Sequence, residues 1–175
     1  MKNLFQYIPN WFKGMVITSL VVVCYGIGNL NTESAAPTPQ SSELLETLWL
    51  DSVPEMMHDS WKGYLFTTDN VGLSIDAASS FRITLEIFEF QLKKNTIRWH
   101  FPHDGSKVNT KYTIEKLKKP TKHFDRQLTV ENDPKNDGKT SVYFTGPDFA
   151  NGATIERLAP GALTKVRSYN SSLTQ

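Results

Sequence analysis

The chain has 175 residues, a length typical of one domain, and its single cysteine, Cys24, excludes an intramolecular disulfide. The formal net charge of +1 excludes a global electrostatic attraction to nucleic acid or to acidic substrates. Aromatic residues make up 11% of the chain, which predicts an aromatic-rich interior or a binding wall.

The N-terminus has the pattern of an export signal. Lys2 and Lys13 precede Met15–Ile27, a run that carries no charge. A basic segment followed by about 7–15 apolar residues is what an export machinery reads. We therefore assign residues 1–28 to a signal peptide or an N-terminal membrane anchor. The remainder is expected to be exported to the cell envelope, on the periplasmic face or extracellular side of a membrane, or to be secreted.

Three fates of this leader are open. Cleavage after the small residues of Gly26-Ile27-Gly28 would leave Asn29 as the new N-terminus. Retention as an anchor is the second, although the apolar run is shorter than the about 20 residues that span a bilayer. Lipidation of Cys24 is the third, and Val23 departs from the small residue that usually precedes a lipidated cysteine. Membrane association is expected if the leader is retained.

The segment after the leader is predicted to be a flexible linker over residues 29–40, because it is polar and contains proline. A helix is then predicted in which Leu44, Leu45, Leu48 and Trp49 share one apolar face. A second short helix is predicted over Val53–Trp61, because Ser52-Val53-Pro54-Glu55 has the pattern of a capping box.

From Tyr64 onward, apolar residues recur with a period of two, which is typical of β-strands. The clearest strand alternates from Phe81 to Ile87, and the alternation continues on the opposite parity from Phe88 to Leu92. This change of face predicts a β-bulge or a sharp bend. Lys93-Lys94-Asn95 predicts a hairpin turn. Other strands are predicted at Val71–Ile75, Ile97–Phe101, Val108–Ile114, Phe124–Val130 and Val142–Phe144.

This pattern predicts a mainly β fold: an antiparallel meander forming a small barrel or sandwich, preceded by one or two short α-helices. One β-rich domain is expected over residues 41–168, with a frayed tail over 169–175. After Gly146 the pattern weakens, and Ala159–Ser168 is consistent with a short helix or an edge strand. The architecture is similar to that of lipocalins, but their Gly-x-Trp signature is absent, since Trp61-Lys62-Gly63 has the reverse order.

Two phrases carry a further resemblance. Leu48–Pro54 (Leu-Trp-Leu-Asp-Ser-Val-Pro) and Leu85–Phe90 (Leu-Glu-Ile-Phe-Glu-Phe) resemble segments of uncharacterised bacterial envelope proteins, many of them lipoproteins. The second phrase continues to Asn95 and on to Phe101-Pro102. The shared positions are packing residues rather than chemical motifs. The resemblance implies a location in the cell envelope.

Two sets of residues are candidates for binding. Aromatic side chains on the predicted strands would line a cavity for an apolar ligand or fill a closed core, namely Phe88, Phe90, Trp99, Phe101 and Tyr112, with Phe144. Basic residues crowd one stretch and are candidates for binding anionic lipid headgroups or an acidic partner, namely Lys107, Lys111, Lys116, Lys118, Lys119 and Lys122. The alternative for the lysines is a solvated face that protects strand edges.

Catalytic and metal-binding chemistry has little support. His100 and His103 lie where a predicted strand runs into a turn, and we interpret them as surface histidines. A metal site would need further ligands that the sequence does not place near them, so none is assigned. Glu86 and Glu89 would serve a hydrolase only if both faced one cleft, because a glycosidase needs paired carboxylates. No nucleophile motif is present outside the leader.

The sequence therefore predicts a non-enzymatic, exported or membrane-tethered β-domain that needs no cofactor. Its expected partner is an envelope protein, a lipid or another anionic surface, and an apolar ligand is a further option; nucleic acid is not expected in that compartment. A lipocalin-like carrier of a small hydrophobic molecule is the alternative, and a carboxylate-based hydrolase is the remote one.

Overall fold

The structure is a computed structural model that describes residues 39–174. The predicted leader, Cys24 and most of the predicted linker lie outside the described residues. Within them, eight antiparallel strands form a closed barrel whose strand order follows the chain. This confirms the prediction of a mainly β fold, with an antiparallel meander and a short helix before it.

The elements have the following bounds: α1 (Pro39–Leu44), β1 (Thr47–Leu50), β2 (Trp61–Phe66), β3 (Val71–Ser79), β4 (Arg82–Lys93), β5 (Thr96–Phe101), β6 (Ser106–Lys116), β7 (Arg126–Val130), β8 (Ser141–Thr145), a 3₁₀ helix (Pro147–Ala150), α2 (Gly152–Leu158) and α3 (Ala162–Leu173).

The barrel closes between its first and last strands. Leu50 pairs with Phe144, and the Thr145 hydroxyl donates a 2.9 Å hydrogen bond to the carbonyl of Leu48. Because the strands alternate in direction, the connections lie alternately at two ends. We call them the α1 end (α1 and the turns after β2, β4 and β6) and the lid end (the connections after β1, β3, β5 and β7). The connection after β7, residues 131–140, is called the lid loop.

Side chains that alternate along the strands fill the barrel. A barrel of eight strands has an interior that side chains can occupy fully. The ring centroids of Phe88 and Trp99 are 4.7 Å apart, and those of Tyr64 and Trp99 are 5.1 Å apart. The interior cluster consists of Leu44, Trp49, Tyr64, Phe66, Phe88, Phe90, Ile97, Trp99, Phe101, Tyr112, Ile114, Leu128, Val130 and Tyr143.

The C-terminal helices cover one outer wall of the barrel. Ile155, Ala162 and Val166 are buried against the outward side chains of β1, β2 and β3, in a second apolar cluster. Ile87 of β4 packs against the same cluster. The outer faces of β5 and β6 carry no such cover and are lined by exposed polar residues. The barrel therefore has one helix-covered wall and one bare wall.

Of the β-bulge or sharp bend predicted in β4, the bulge is wrong. Pairing of β3 with β4 runs without interruption from Val71–Glu89 to Ala77–Ile83, and the register shifts only beyond Ala77. The apolar residues change parity because the two halves of β4 are buried on different sides. Ile83, Leu85 and Ile87 face the helices, whereas Phe88 and Phe90 face the barrel interior.

The predicted helix over Val53–Trp61 is also wrong, since residues 51–60 form a loop and Trp61 begins β2. The backbone N–H groups of Glu55 and Met56 donate to Oδ2 of Asp59 at 2.8 Å, which replaces helical hydrogen bonds with a local turn. Trp49, predicted on a helix, lies in β1 with its ring inside the barrel.

The C-terminus differs from the predicted frayed tail. α3 continues to Leu173, and the Tyr169 hydroxyl donates a 2.7 Å hydrogen bond to Oε1 of Glu89 on the barrel wall. Phe144 also differs from its predicted inward position, because it faces outward and its ring lies 5.4 Å from that of Phe124. No helix among residues 39–174 is long and apolar enough to cross a membrane.

Candidate functional site

The six predicted surface lysines lie on β6 and in the loop that follows it. Lys107 and Lys111 point outward from β6, whose alternate residues Thr110, Tyr112 and Ile114 are buried in the interior. The others follow at the α1 end of β6 and in the loop after it, and all six are exposed. We call this surface the basic face: Lys107, Lys111, Lys116, Lys118, Lys119 and Lys122.

Among residues 39–174, the lysines of the basic face form no ion pair, although the positive charge of Lys107 helps to lower the pKa of the Glu89 carboxyl. The lysine ion pairs of the described residues involve Lys62 and Lys135 instead. Lys93 and Lys94 are exposed at the β4–β5 turn and add positive charge. This turn lies against β6, because the carbonyl of Lys94 accepts from the Tyr112 hydroxyl at 3.2 Å. Asp125, in the loop after β6, already contacts Arg126 at 3.4 Å. The basic face is therefore free to meet an external anion.

A groove of about 600 Å³ lies beside the basic face, on the outer wall between β4–β6 and the end of α3. Arg98 and Lys107 line it with positive charge, and Leu173 adds an apolar edge. Asp69 and Glu89 also line it, so carboxylates stand beside the two cations. Asp69 accepts a 2.9 Å hydrogen bond from Asn170, and Glu89 accepts from Tyr169.

His100 and Glu89 form a paired contact within this groove. Nδ1 of His100 lies 2.8 Å from Oε2 of Glu89, on adjacent strands. Hydrogen bonding to His100 and then to Tyr169 lowers the pKa of the Glu89 carboxyl below its usual 4.5. Burial of the Tyr169 hydroxyl, followed by its bond to Glu89, raises the pKa of Tyr169 to about 12. These contacts fasten α3 to the barrel wall.

The five predicted ligand-binding aromatics all belong to the barrel interior. Phe88, Phe90, Trp99, Phe101 and Tyr112 are buried and share one cluster. Trp99 Nε1 donates a 2.7 Å hydrogen bond to the Thr110 hydroxyl, which satisfies its only polar atom. The rings of Phe88, Phe90, Trp99 and Phe101 contact one another, so a ligand inside the barrel would have to displace them. Phe90 and Trp99 also border the outer groove.

A buried polar cluster at the lid end was not anticipated from the sequence. Asp133 of the lid loop is 0% exposed, and its two carboxylate oxygens accept from the hydroxyls of Tyr64 and Tyr143 at 2.6 Å each. The backbone N–H of Lys135 donates to the same carboxylate at 2.9 Å. Burial, with the neighbouring carboxylate, raises the pKa of both tyrosines above 10.0. The cluster holds the lid loop across the barrel mouth.

A second set of contacts completes this closure. The ammonium group of Lys135 pairs with Glu86 and lies 4.8 Å from the centroid of the Phe101 ring. Oε1 of Glu86 lies 2.8 Å from Nδ1 of His103, in an approach that is not aligned as a hydrogen bond. In the sequence, Asp133 is one of several polar residues in a hydrophilic loop. That pattern does not indicate that its carboxylate accepts hydrogen bonds from Tyr64 and Tyr143.

Glu86 and Glu89 lie on opposite faces of β4. Glu86 points into the barrel mouth beside Lys135 and Ser74, whereas Glu89 faces α3. The paired carboxylates that the hydrolase alternative requires are therefore not formed. Among residues 39–174, no group of three or more histidine, cysteine, aspartate or glutamate side chains is placed to hold a metal ion.

Comparisons with protein-family models, with curated proteins and with solved structures find no match to this chain.

Proposed function

We propose that this protein is a binding domain whose basic face docks on an anionic membrane surface of the cell envelope. The observation that carries the proposal is the set of six exposed lysines, on β6 and in the loop after it, that form no ion pair among the described residues. Lysines near an anionic bilayer each contribute about 1 kcal/mol of attraction. Several of them acting together are sufficient for stable association.

The placement of the basic face supports a surface-binding mode. The opposite wall is covered by α2 and α3, while β5 and β6 are bare. The basic lysines continue from the bare wall to the α1 end, where residue 39 enters the fold. A membrane-associated leader would tether the domain to the bilayer through the predicted linker. Export and tethering are part of the proposal.

Surface binding is favoured over a carrier function by the filling of the barrel. A carrier needs an internal cavity, whereas the interior aromatics pack at centroid distances of 4.7–6.2 Å. The lid loop closes the mouth through Asp133 and Lys135.

The test is binding of the full chain to phosphatidylglycerol vesicles relative to phosphatidylcholine vesicles at equal lipid concentration. Since the leader would insert into both lipids, the ratio reports the electrostatic contribution. The variant Lys116→Gln/Lys118→Gln/Lys119→Gln/Lys122→Gln removes four of these charges. Its ratio of phosphatidylglycerol to phosphatidylcholine binding is expected to be at least about tenfold lower than that of the parent.

The matched control removes four positive charges elsewhere on the surface, with glutamine at Lys62, Arg82, Lys139 and Arg157. It is expected to keep most of the preference, and added salt should weaken binding of the parent protein because exposed charges are screened. Equal losses in the two variants, or no anionic preference in the parent, would contradict the proposed function.

A further inference from the structure

The lid end carries an exposed apolar patch that the fold itself does not use. Met56 is 72% exposed, Met57 is 58% exposed and Phe81 is 74% exposed. The two methionines lie in the loop after β1, and Phe81 lies in the turn between β3 and β4. We call these three residues the apolar patch. Contiguous exposed apolar residues on a folded domain mark interaction sites.

The two loops that carry the apolar patch are joined by a hydrogen bond. The backbone N–H of Ser80 donates to the carbonyl of Met57 at 2.9 Å, so Phe81 is held next to the methionine pair. The patch is therefore one surface built from two connections, rather than two separate loop tips.

The loop after β1 is ordered by its own acidic residues. Oδ2 of Asp59 accepts from the backbone N–H groups of Glu55 and Met56 at 2.8 Å. Oδ1 of Asp51 accepts from the backbone N–H of Lys62 at 2.8 Å, which fixes the loop to the start of β2. Because the methionines are presented on an ordered backbone, binding would cost little loop entropy.

The charge around the methionines identifies the kind of partner. Residues 51–60 contain Asp51, Glu55 and Asp59 but no lysine or arginine, and Arg82, next to Phe81, leaves the two connections net negative. An acidic loop repels an anionic bilayer and attracts a basic segment. Methionine side chains are flexible and polarisable, and they adapt to the apolar face of an amphipathic helix.

We propose that the apolar patch is a docking site for a basic amphipathic helix of a partner protein. The apolar face of the helix contacts Met56, Met57 and Phe81, while its lysine or arginine side chains meet Glu55 and Asp51. The patch lies at the lid end, whereas the basic face lies on the β6 wall and at the α1 end. The two surfaces are distinct, so this inference does not depend on membrane binding.

The test uses a short helical peptide of leucine and lysine whose leucines recur at i, i+3, i+4 and i+7. The parent chain is expected to bind it, measured by fluorescence anisotropy of the labelled peptide. The double variant Met57→Ser/Phe81→Ser is expected to raise the Kd at least about tenfold, since truncation of central apolar anchors has effects of that size.

Three controls separate this partner from other occupants. Val142→Ser removes an exposed apolar residue of β8 outside the patch and should leave the Kd unchanged. Glu55→Gln should raise the Kd and reduce its salt dependence. A leucine and glutamate peptide of the same pattern should not bind.

Several results would overturn the inference. The first is that the parent and the Met57→Ser/Phe81→Ser variant bind the lysine peptide with equal affinity. The second is that the glutamate peptide binds as well as the lysine peptide, and the third is that the lysine peptide does not bind. Self-association of the free chain that Met57→Ser/Phe81→Ser abolishes would identify a second copy as the occupant instead. Neutral-vesicle binding that the same variant abolishes would identify a lipid surface.

Discussion

The Tyr64 hydroxyl donates a 2.6 Å hydrogen bond to Oδ1 of Asp133, a residue that follows 69 positions later in the chain. The other oxygen of Asp133 accepts from Tyr143, also at 2.6 Å. Hydrogen bonds to a charged acceptor are shorter and stronger than those between neutral groups. Asp133 therefore fixes the lid loop to two strands of the barrel wall.

Removal of either hydroxyl should destabilise the fold. Tyr64→Phe and Tyr143→Phe are each expected to lower the free energy of unfolding by about 1–3 kcal/mol, measured by urea denaturation. Tyr143→Phe should have the larger effect, because it leaves Oδ2 of Asp133 without the Tyr143 donor. In Tyr64→Phe, Oδ1 still accepts from the backbone N–H of Lys135. Tyr112→Phe is the control, since it removes only a 3.2 Å bond to a carbonyl. A loss in Tyr112→Phe as large as in Tyr143→Phe would contradict this assignment.

Alkaline pH should unfold the domain through the same tyrosines. The pKa values of Tyr64 and Tyr143 are raised in the folded state, above the 10.0 expected for the unfolded chain. The folded state thus retains protons that the unfolded state loses, so stability falls as pH rises from 10.0. Absorbance of tyrosinate near 295 nm should show these two residues ionising only with unfolding. Their ionisation at 10.0 in a folded chain would refute the buried cluster.

Acid should weaken the attachment of α3. The pKa of Glu89 is lowered in the folded state, so its contribution to stability is present above 4.5 and is lost as pH falls through the folded pKa. Tyr169→Phe removes one donor to this carboxylate and keeps the ring. Its destabilisation, measured by urea denaturation, should be larger at neutral pH than well below 4.5. An equal effect at both pH values would show that the hydroxyl does not stabilise the ionised carboxylate.

Gly72→Ala should destabilise the barrel by about 1–3 kcal/mol. A Cβ at Gly72 would lie 2.4 Å from Cζ of Phe88 and 2.7 Å from the carbonyl oxygen of Leu65, which leaves no space for it. Gly152→Ala is the matched control, because its Cβ would lie 3.4 Å from Leu163, an ordinary contact, at the start of α2. Thermal unfolding compares the two variants, and equal melting temperatures would contradict the close packing of Phe88 on β3.

The strand pattern was predictable because inward residues of a barrel alternate with outward ones. Trp99 and Phe101 face the interior, and Arg98 and His100 the outside, as their alternation on β5 predicts. The hairpin at Lys93-Lys94-Asn95 is confirmed by the end of β4 at Lys93 and the start of β5 at Thr96. Periodicity reports which residues share a face, and that property is local.

The errors arise where burial depends on distant elements. β4 changes its apolar face because α3 covers one half of it, and α3 lies far along the chain from Ile87. The capping-box pattern at Ser52 is overridden by Asp59 and by pairing of Asp51 with Lys62. The meeting of Asp133 with Tyr64 requires closure of the barrel, which no local pattern records.

Docking of the basic face on a membrane is best tested by a map of the residues that contact an anionic bilayer. The full chain would be mixed with phosphatidylglycerol vesicles that carry a headgroup spin label, and relaxation of each backbone amide would be measured by NMR. Strong broadening is expected around Lys107, Lys111 and Lys119, with little effect around Phe81. Broadening centred on Phe81 and Met57, or no localised broadening, would contradict this docking.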